Sequence, residues 1–574
     1  TIAGKKYTFG QGFYRFASDA SSFEFLTRTS NNTWGLGITE DFQVFGSTAN
    51  NTHSVHMPIP KRYFEGVKGL PGNGSRKIDG HYAFHPLTLN VRQVDVFNGF
   101  TAAAGHNFYT ARSFPKPYWN RIAFVCEPTG RLVHNAIIEP EGSSFTEKDG
   151  WNFMASSDEW FAPVDAEVGP DGAVWVLDWY DFIIQHNPTP PGFENGKGNA
   201  HINPLRDRDR GRIYRVSYRN GKASSMPKLS AADPKGLIAA LGNDNLFWRL
   251  TAQRLLVERG QTDVASDLVK ALSSAKNDQL GLQPQALHAL WTLHGLGLTD
   301  GKNEEVNKAV LAALSSPVAA IRRAAIQISP RNEALSQALM NGKLLKDTDF
   351  PTRLEAFLAL SEMESSPETG AYLYAQSKDP ANVSDIWISQ ALYCAASRHQ
   401  TGFVKAYLAD ASVPHAETAA VPVVFDFMGN ESWDQWKTMK LPTLWESAGL
   451  DEFDGTVWFK KVVDIPANLA GQRATLHLAK VDDTDSTYIN GKMVGQTYRK
   501  YDASRVYPVA AGILKAGPNT LTVKVEDYSG GGGIWGLADQ LYLEVGGTRI
   551  DLAADRWYYR VERAFATGVK NLFS

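Results

Sequence analysis

Cysteine is nearly absent from this chain. Its 574 residues include two, Cys126 and Cys394, far apart and in neither CxxC nor CxxCH spacing. That excludes a disulfide framework and covalently attached c-type haem. No run approaches twenty apolar residues, which excludes a membrane-spanning helix. Charge of one sign is also missing. A formal net charge of −3 gives no global pull toward nucleic acid or an anionic membrane. No secretory leader pattern precedes the first strands. Thr1 opens almost directly onto strand-like Lys6-Tyr-Thr-Phe and Gly12-Phe-Tyr-Arg-Phe, so the chain is expected to start partway through a domain.

Aromatic residues and glycine are plentiful: 15 Trp, 21 Tyr, 29 Phe and 49 Gly. Rings suit pleated surfaces and offer flat apolar faces, so this composition favours β-rich domains with binding surfaces. The length allows roughly three to four domains of about 150 residues.

Three regions differ in pattern. Residues 1–218 read as short strands with turn punctuation, as in Gly169-Pro-Asp-Gly172 leading into Ala-Val-Trp-Val-Leu-Asp178. Such units, separated by long polar loops, predict the C-terminal blades of a β-propeller. Residues 219–415 predict a HEAT-like α-solenoid. Ala252, Ala286, Ala324, Ala356 and Ala391 recur at spacings of 34, 38, 32 and 35 residues. Four residues after each comes Leu256, Leu290, Ile328, Leu360 or Ala395, on the same helical face. Pro317, Pro330, Pro351 and Pro367 fall where helices stop or start. Residues 416–574 return to alternating strands, with an Asn490-Gly491 hairpin signal, and predict a β-sandwich of jelly-roll type.

Several motifs carry family resemblances. Phe45-Gly-Ser-Thr-Ala-Asn-Asn51, Ala103-Ala-Gly-His-Asn-Phe-Tyr109, Phe124-Val-Cys-Glu-Pro-Thr-Gly-Arg-Leu-Val-His134, Asp149-Gly-Trp-Asn-Phe153 and Asp178-Trp-Tyr-Asp181 together resemble the last blades of a glucose/sorbosone-dehydrogenase-like propeller. More narrowly, they resemble secreted bacterial membrane-bound-dehydrogenase-domain proteins, in which HEAT-like repeats follow the propeller. Gly455-Thr-Val-Trp-Phe459, Val481-Asp-Asp-Thr-Asp485, Gly530-Gly-Gly-Gly-Ile-Trp-Gly536 and Trp557-Tyr-Tyr-Arg-Val561 resemble the galactose-binding-like jelly roll of sialate O-acetylesterases.

The propeller resemblance implies pyrroloquinoline quinone (PQQ) with calcium, a His base, and Arg side chains holding the anionic cofactor. The base would precede Thr1, and so would the blades that close the propeller, upstream or in an associated chain. At two cation positions the sequence is neutral: Asn31-Asn-Thr-Trp-Gly35 at one, Trp160-Phe-Ala-Pro163 at the other. The implied activity is an extracytoplasmic sugar or polyol oxidoreductase. The alternative is a non-catalytic glycan-binding or scaffold component of a bacterial cell surface, with a protein partner, such as a c-type cytochrome, on the solenoid. A third reading is a hydrolase or lyase built on a divalent metal.

Eight of the 13 histidines lie in residues 1–218: His53, His56, His81, His85, His106, His134, His186 and His201. Asp178, Asp181, His186 and His201 are the candidate catalytic groups, being metal-ligand and acid/base types in or beside long loops. Asp158 and Glu159 beside Trp160 pair carboxylates with a ring, as sugar sites do. Trp535, reached through flanking glycines, is a further sugar-stacking candidate. Asp482, Asp483 and Asp485 have the oxygen chemistry for calcium.

Overall fold

Most strands follow from alternation of apolar and polar residues, and most helices from a four-residue rhythm of Ala and Leu. The computed structural model describes residues 4, 6–8, 10–50, 52–70, 72–88, 90–91, 93, 96–184, 205, 209–410, 436–450, 453–528 and 530–564. It is a multi-domain protein of mixed sheet and helix. The chain divides into two compact units: Thr1–Val67 with Gly72–Tyr407, and Leu408–Ser574 with Lys68–Pro71. Among the described residues no helix is long and apolar enough to cross a membrane.

The first unit opens with small antiparallel sheets. A two-stranded pair, Gly12–Phe16 and Phe23–Arg28, precedes a four-stranded sheet ordered Thr33–Ile38, Val44–Thr48, Thr52–His56, Arg76–Lys77. A second four-stranded sheet runs Ser144–Ala155, Leu132–Glu141, Ile122–Glu127, Ala104–Phe108, and a three-stranded sheet runs Pro163–Val168, Val174–Asp178, Arg212–Val216. Glycine permits their close approach. A Cβ on Gly37 would stand 1.9 Å from the carbonyl oxygen of His106, so only glycine lets the two four-stranded sheets meet there. Phe45, Phe100, Phe108 and Leu132 fill one core cluster; Tyr109, Phe124, Val174 and Val176 fill another.

Twelve helices follow among the described residues, from Pro234–Ala240 to Gln400–Ala409. Asp233, Asn245, Asn303, Asn332, Asp349, Ser366 and Asp385 cap them by accepting from free N–H groups of the first turn. Pro351 and Pro367 stand in first turns, and Pro317 and Pro330 lie in the connections. The five recurring alanines lie on Leu246–Glu258, Pro284–Gly295, Ala319–Ile328, Phe350–Ser361 and Ile386–Arg398, and all five are buried. Each of these helices packs on the next, so the alanine rows are contact faces.

These helices also dock on the sheets. Glu40 accepts both guanidinium nitrogens of Arg112 at 2.7 and 2.9 Å, and Arg249 from the helix Leu246–Glu258 at 2.6 Å. Its neighbour Asp41 takes Arg323 from Ala319–Ile328 at 2.7 Å. Asp385 caps its own helix and also accepts Ser143 N–H at 2.8 Å from the sheet hairpin.

The second unit is built of two antiparallel sheets. Six strands, ordered Lys437–Met439, Trp557–Ala564, Gly455–Ile465, Gly517–Asp527, Thr484–Ile489, Lys492–Thr497, make one. Ser504–Val509, Ala474–Asp482, Leu541–Val545 and Thr548–Asp551, with Gly533–Trp535 beside Ala474–Asp482, make the other. Trp445, Phe459, Leu476, Val523, Leu543 and Trp557 share one buried core. Asn490 and Gly491 both have positive φ, at 50° and 76°, which makes the tight turn between Ile489 and Lys492.

Removing Glu40 leaves the buried Arg249 without its carboxylate and Arg112 with Asp278 alone. Glu40→Ala is therefore expected to destabilise the first unit by about 3–5 kcal/mol. Urea unfolding should show its transition shifted and that of the second unit unchanged; an unchanged first transition contradicts the clamp.

Candidate metal centre

Buried polar residues on strands need a reason to be there, because a strand's inward positions are otherwise apolar. His53 on Thr52–His56, His134 on Leu132–Glu141 and Glu147 on Ser144–Ala155 are all fully buried. His81 joins them from the segment after Arg76–Lys77. Backbone bonds sew that segment between two sheets: Ile78 N–H donates to Ser54 O at 3.0 Å, and Glu147 N–H to Ile78 O at 2.9 Å. Gly80 lets it pass, since a Cβ there would lie 2.0 Å from the Glu147 carbonyl oxygen.

The four side chains offer ligand atoms that all lie within 4.8 Å of one another. His53 Nε2 lies 3.2 Å from Glu147 Oε2. His81 Nε2 and His134 Nε2 lie 3.3 and 3.4 Å from Glu147 Oε1, and 3.3 Å from each other. A tetrahedral ion bonded at about 2.05 Å sets its donors about 3.3–3.4 Å apart, so the spacing of His81, His134 and Glu147 Oε1 fits a divalent transition metal, with His53 against the other carboxylate oxygen.

An outer hydrogen bond fixes the tautomer of His81. His81 Nδ1 donates to Ala83 O at 2.8 Å, and a carbonyl only accepts, so Nε2 of the neutral ring carries a lone pair. His53 Nδ1 faces Asp79 Oδ2 at 3.3 Å, and its Nε2 is buried without a hydrogen bond. His134 Nδ1 looks toward Asp149 Oδ1 at 3.9 Å. Imidazole nitrogens and carboxylate oxygens thus converge on one point, an arrangement that needs protons or a cation among them. Phe100 closes one wall, stacked on His53 at 4.2 Å.

Electrostatics agree. Burial opposes charge on Glu147, but hydrogen bonds from His134, His53 and His81 outweigh it and hold the carboxyl far below its usual range. Burial pushes His134 down to about 4. Burial also acts on His81, but Glu147 raises it on balance. Solvent reaches the centre beside His81, past His85 and Asp149, which share a 2.6 Å hydrogen bond.

The sequence candidates are distributed differently. Asp178 is buried and caps a turn: its Oδ1 accepts Ala162 and Tyr180 N–H, both at 2.8 Å, and Arg212 lies against Oδ2. Asp181 Oδ1 accepts Ile183 N–H at 3.1 Å. His186 and His201 lie outside the described residues. Asp158 binds Arg212 at 3.0 Å, and Trp160 packs on Tyr180 and Phe182, with Glu159 between them in sequence. The structure therefore brings Asp158, Asp178 and Arg212 together, and among the described residues they belong to neither group of metal-ligating side chains.

In the second unit Asp482 and Asp483 converge with Asp527. Burial and the Asp483 carboxylate push Asp482 up to about 7. Asp485 faces elsewhere, taking Arg505 at 2.8 Å, Tyr507 at 2.8 and 2.9 Å, and Thr487 at 2.8 Å. Trp535, half-buried, donates to Tyr501 O at 3.2 Å under the Lys480 ammonium.

The implied quinone needs cations that these positions do not supply. Asn31 Oδ1 accepts Asn32 N–H, and Ala162 N–H is held by Asp178. The nearby buried Arg131 donates to the carbonyls of Pro128, Phe161, Asp181 and Phe182. A tricarboxylate does not fit these residues.

Comparison with known proteins is sparse. Residues 1–220 match a family model described as a domain of unknown function, DUF7133. No curated protein matches the chain. Solved structures similar over small parts include β-glucuronidases of Bifidobacterium dentium (22% identity, 15% of each chain, TM-score 0.14) and Faecalibacterium prausnitzii (21% identity, 19% of each chain, TM-score 0.16). β-Glucuronidase 2 of Bacteroides uniformis matches over 24% of this chain and 16% of its own, at 22% identity and TM-score 0.18. The chain spans less than a quarter of the length of these structures, and such partial likeness says nothing of activity.

His56 and His106 are buried outside the centre, each beside a serine: Ser144 Oγ at 3.0 Å and Ser54 Oγ at 2.9 Å. Burial pushes both down to about 3. Unfolded imidazoles take up protons near the ordinary value of 6.5, so their contribution to stability is complete above 6.5 and is lost as pH falls toward 3. His56→Gln with His106→Gln should flatten the first unit's stability between those limits, measured by denaturant unfolding across pH; an unaltered slope contradicts this.

Proposed function

We propose that this chain is an extracytoplasmic bacterial protein of carbohydrate use whose first unit is a metal-dependent hydrolase, with zinc the ion its donors suit best. The convergence of His53, His81, His134 and Glu147 carries the reading. Three imidazole nitrogens and one carboxylate match the nitrogen- and oxygen-rich sets that zinc takes, and these four residues would hold it. Such an ion supplies Lewis acidity and an ionisable water. The chain's own residues do the rest. Asp79 and the Ala83 carbonyl orient their histidines, and Phe100 excludes water from one side. The His85–Asp149 pair stands where solvent enters and can accept a proton there.

The finer architecture is part of the proposal. We read the small sheets as successive blades of an open propeller, the helices as a HEAT-like solenoid and the second unit as a galactose-binding-like jelly roll. A second reading, glycan binding without catalysis, draws on the second unit, where Trp535 and Tyr501 adjoin the strand ending at Asp482.

Elemental analysis of the native protein should find about one zinc or similar ion per chain. Hydrolysis of soluble polysaccharides should be lost on chelation and return when zinc is added back. Absence of metal sinks the centre; metal with chelation-insensitive activity makes the ion structural. A quinone in the acid extract would reinstate the oxidoreductase.

A further inference from the structure

Trp151 stands at the solvent edge of the metal centre in a backbone conformation that bulky residues avoid, with φ of +64°. It is 60% exposed, so core packing does not hold it there. The cause is a bulge: Asp149 pairs with Ala136 and Asn152 with His134, so Gly150 and Trp151 together oppose the single Asn135. Bulges re-aim side chains, often beside functional sites.

The ring is held rigidly. One face stacks on His85, with centroids 3.5 Å apart and planes 14° from parallel. Asp149 ties the pair together: Oδ1 accepts Trp151 N–H at 2.8 Å and Oδ2 takes His85 Nε2 at 2.6 Å. Asn152 Nδ2 fixes the His85 backbone by donating to its carbonyl at 2.6 Å. That leaves the other indole face open, with the Asp149 carboxylate beside the residue. No Lys or Arg is among the described partners of Trp151, His85 or Asp149.

We propose that Trp151 is a stacking platform for a neutral sugar ring beside the metal centre, with His85 backing the indole from its other face and Asp149 the nearest acceptor for the sugar's hydroxyls. The open aromatic face suits the C–H face of a pyranose, and the carboxylate accepts hydrogen bonds from its edge. A phosphorylated or strongly anionic ligand would instead meet Asp149 with no cation beside it. This assignment rests on the metal-centre reading for its place beside a reaction site, but not for sugar binding itself.

The test is affinity electrophoresis of the full chain through gels containing xylan, galactomannan or mixed-linkage β-glucan. A Trp535→Ala background keeps the second unit from masking the result. At least one polysaccharide should retard the protein, and Trp151→Gly should weaken that binding about tenfold, with Trp151→Phe in between. Glycine adopts positive φ freely, so Trp151→Gly is expected to fold with undiminished thermal stability. Equal retardation of Trp151→Gly and its parent, or no retardation by any of the three, overturns the platform. Elemental analysis of the same samples separates the readings. Metal present with binding unchanged removes the platform alone; metal absent with binding lost in Trp151→Gly removes the metal centre alone.

Discussion

A single buried carboxylate, Glu147, organises the sheet half of the first unit. Three imidazoles turn toward it from two strands and one irregular segment, and its other bonds hold the Gly80 backbone. A naked carboxylate at that depth is costly, and neutral imidazoles relieve only part of the cost. A dication among the four would offset that cost. The irregular chain from Ile78 onward is held where it is because two of its groups, Gly80 N–H and His81, belong to this cluster.

The same logic recurs where sheets meet helices. Glu40 and Asp41, adjacent in sequence, each accept arginines from elsewhere in the chain. Buried ion pairs of this kind add little net stability but strongly disfavour misdocked arrangements, in which a charge would be stranded. Two of the arginines come from the repeat helices themselves: Arg249 and Arg323 lie three and one residues before the buried Ala252 and Ala324. A repeat that packs on itself through alanine packs on the sheets through arginine.

Much of the helical half was legible in the sequence, because burial on a helix leaves a four-residue rhythm that Ala252/Leu256 and its four counterparts display openly. The Asn490-Gly491 turn was legible for a similar reason: two positive φ angles demand those residues. The centre was harder. His53, His81, His134 and Glu147 share no local motif, and only strand pairing joins them. The choice of Asp178, Asp181, His186 and His201 followed proximity to long loops, whereas Asp178 caps a turn. The overlooked signal was a histidine inside an apolar strand run, as in Leu132-Val-His-Asn-Ala136. Asp482 and Asp483 were found and Asp527 was not, since it arrives from a strand 44 residues beyond Asp483. Asp485, two residues on from Asp483, turns to Arg505 instead.

The carboxylate clamp also sets where the polypeptide can be divided. A boundary near residue 218 separates strand-like from helical sequence, yet it falls inside one cooperative body. Cutting there would strip Glu40 of Arg249, Asp41 of Arg323 and the Ser143 hairpin of Asp385 in one stroke. A fragment ending at that point would carry an acidic, half-desolvated scar along its flank. During synthesis, too, the sheet portion leaves the ribosome with Arg112 on Glu40 but before Arg249 and Arg323 exist, so it completes its folding only after the repeats have been translated.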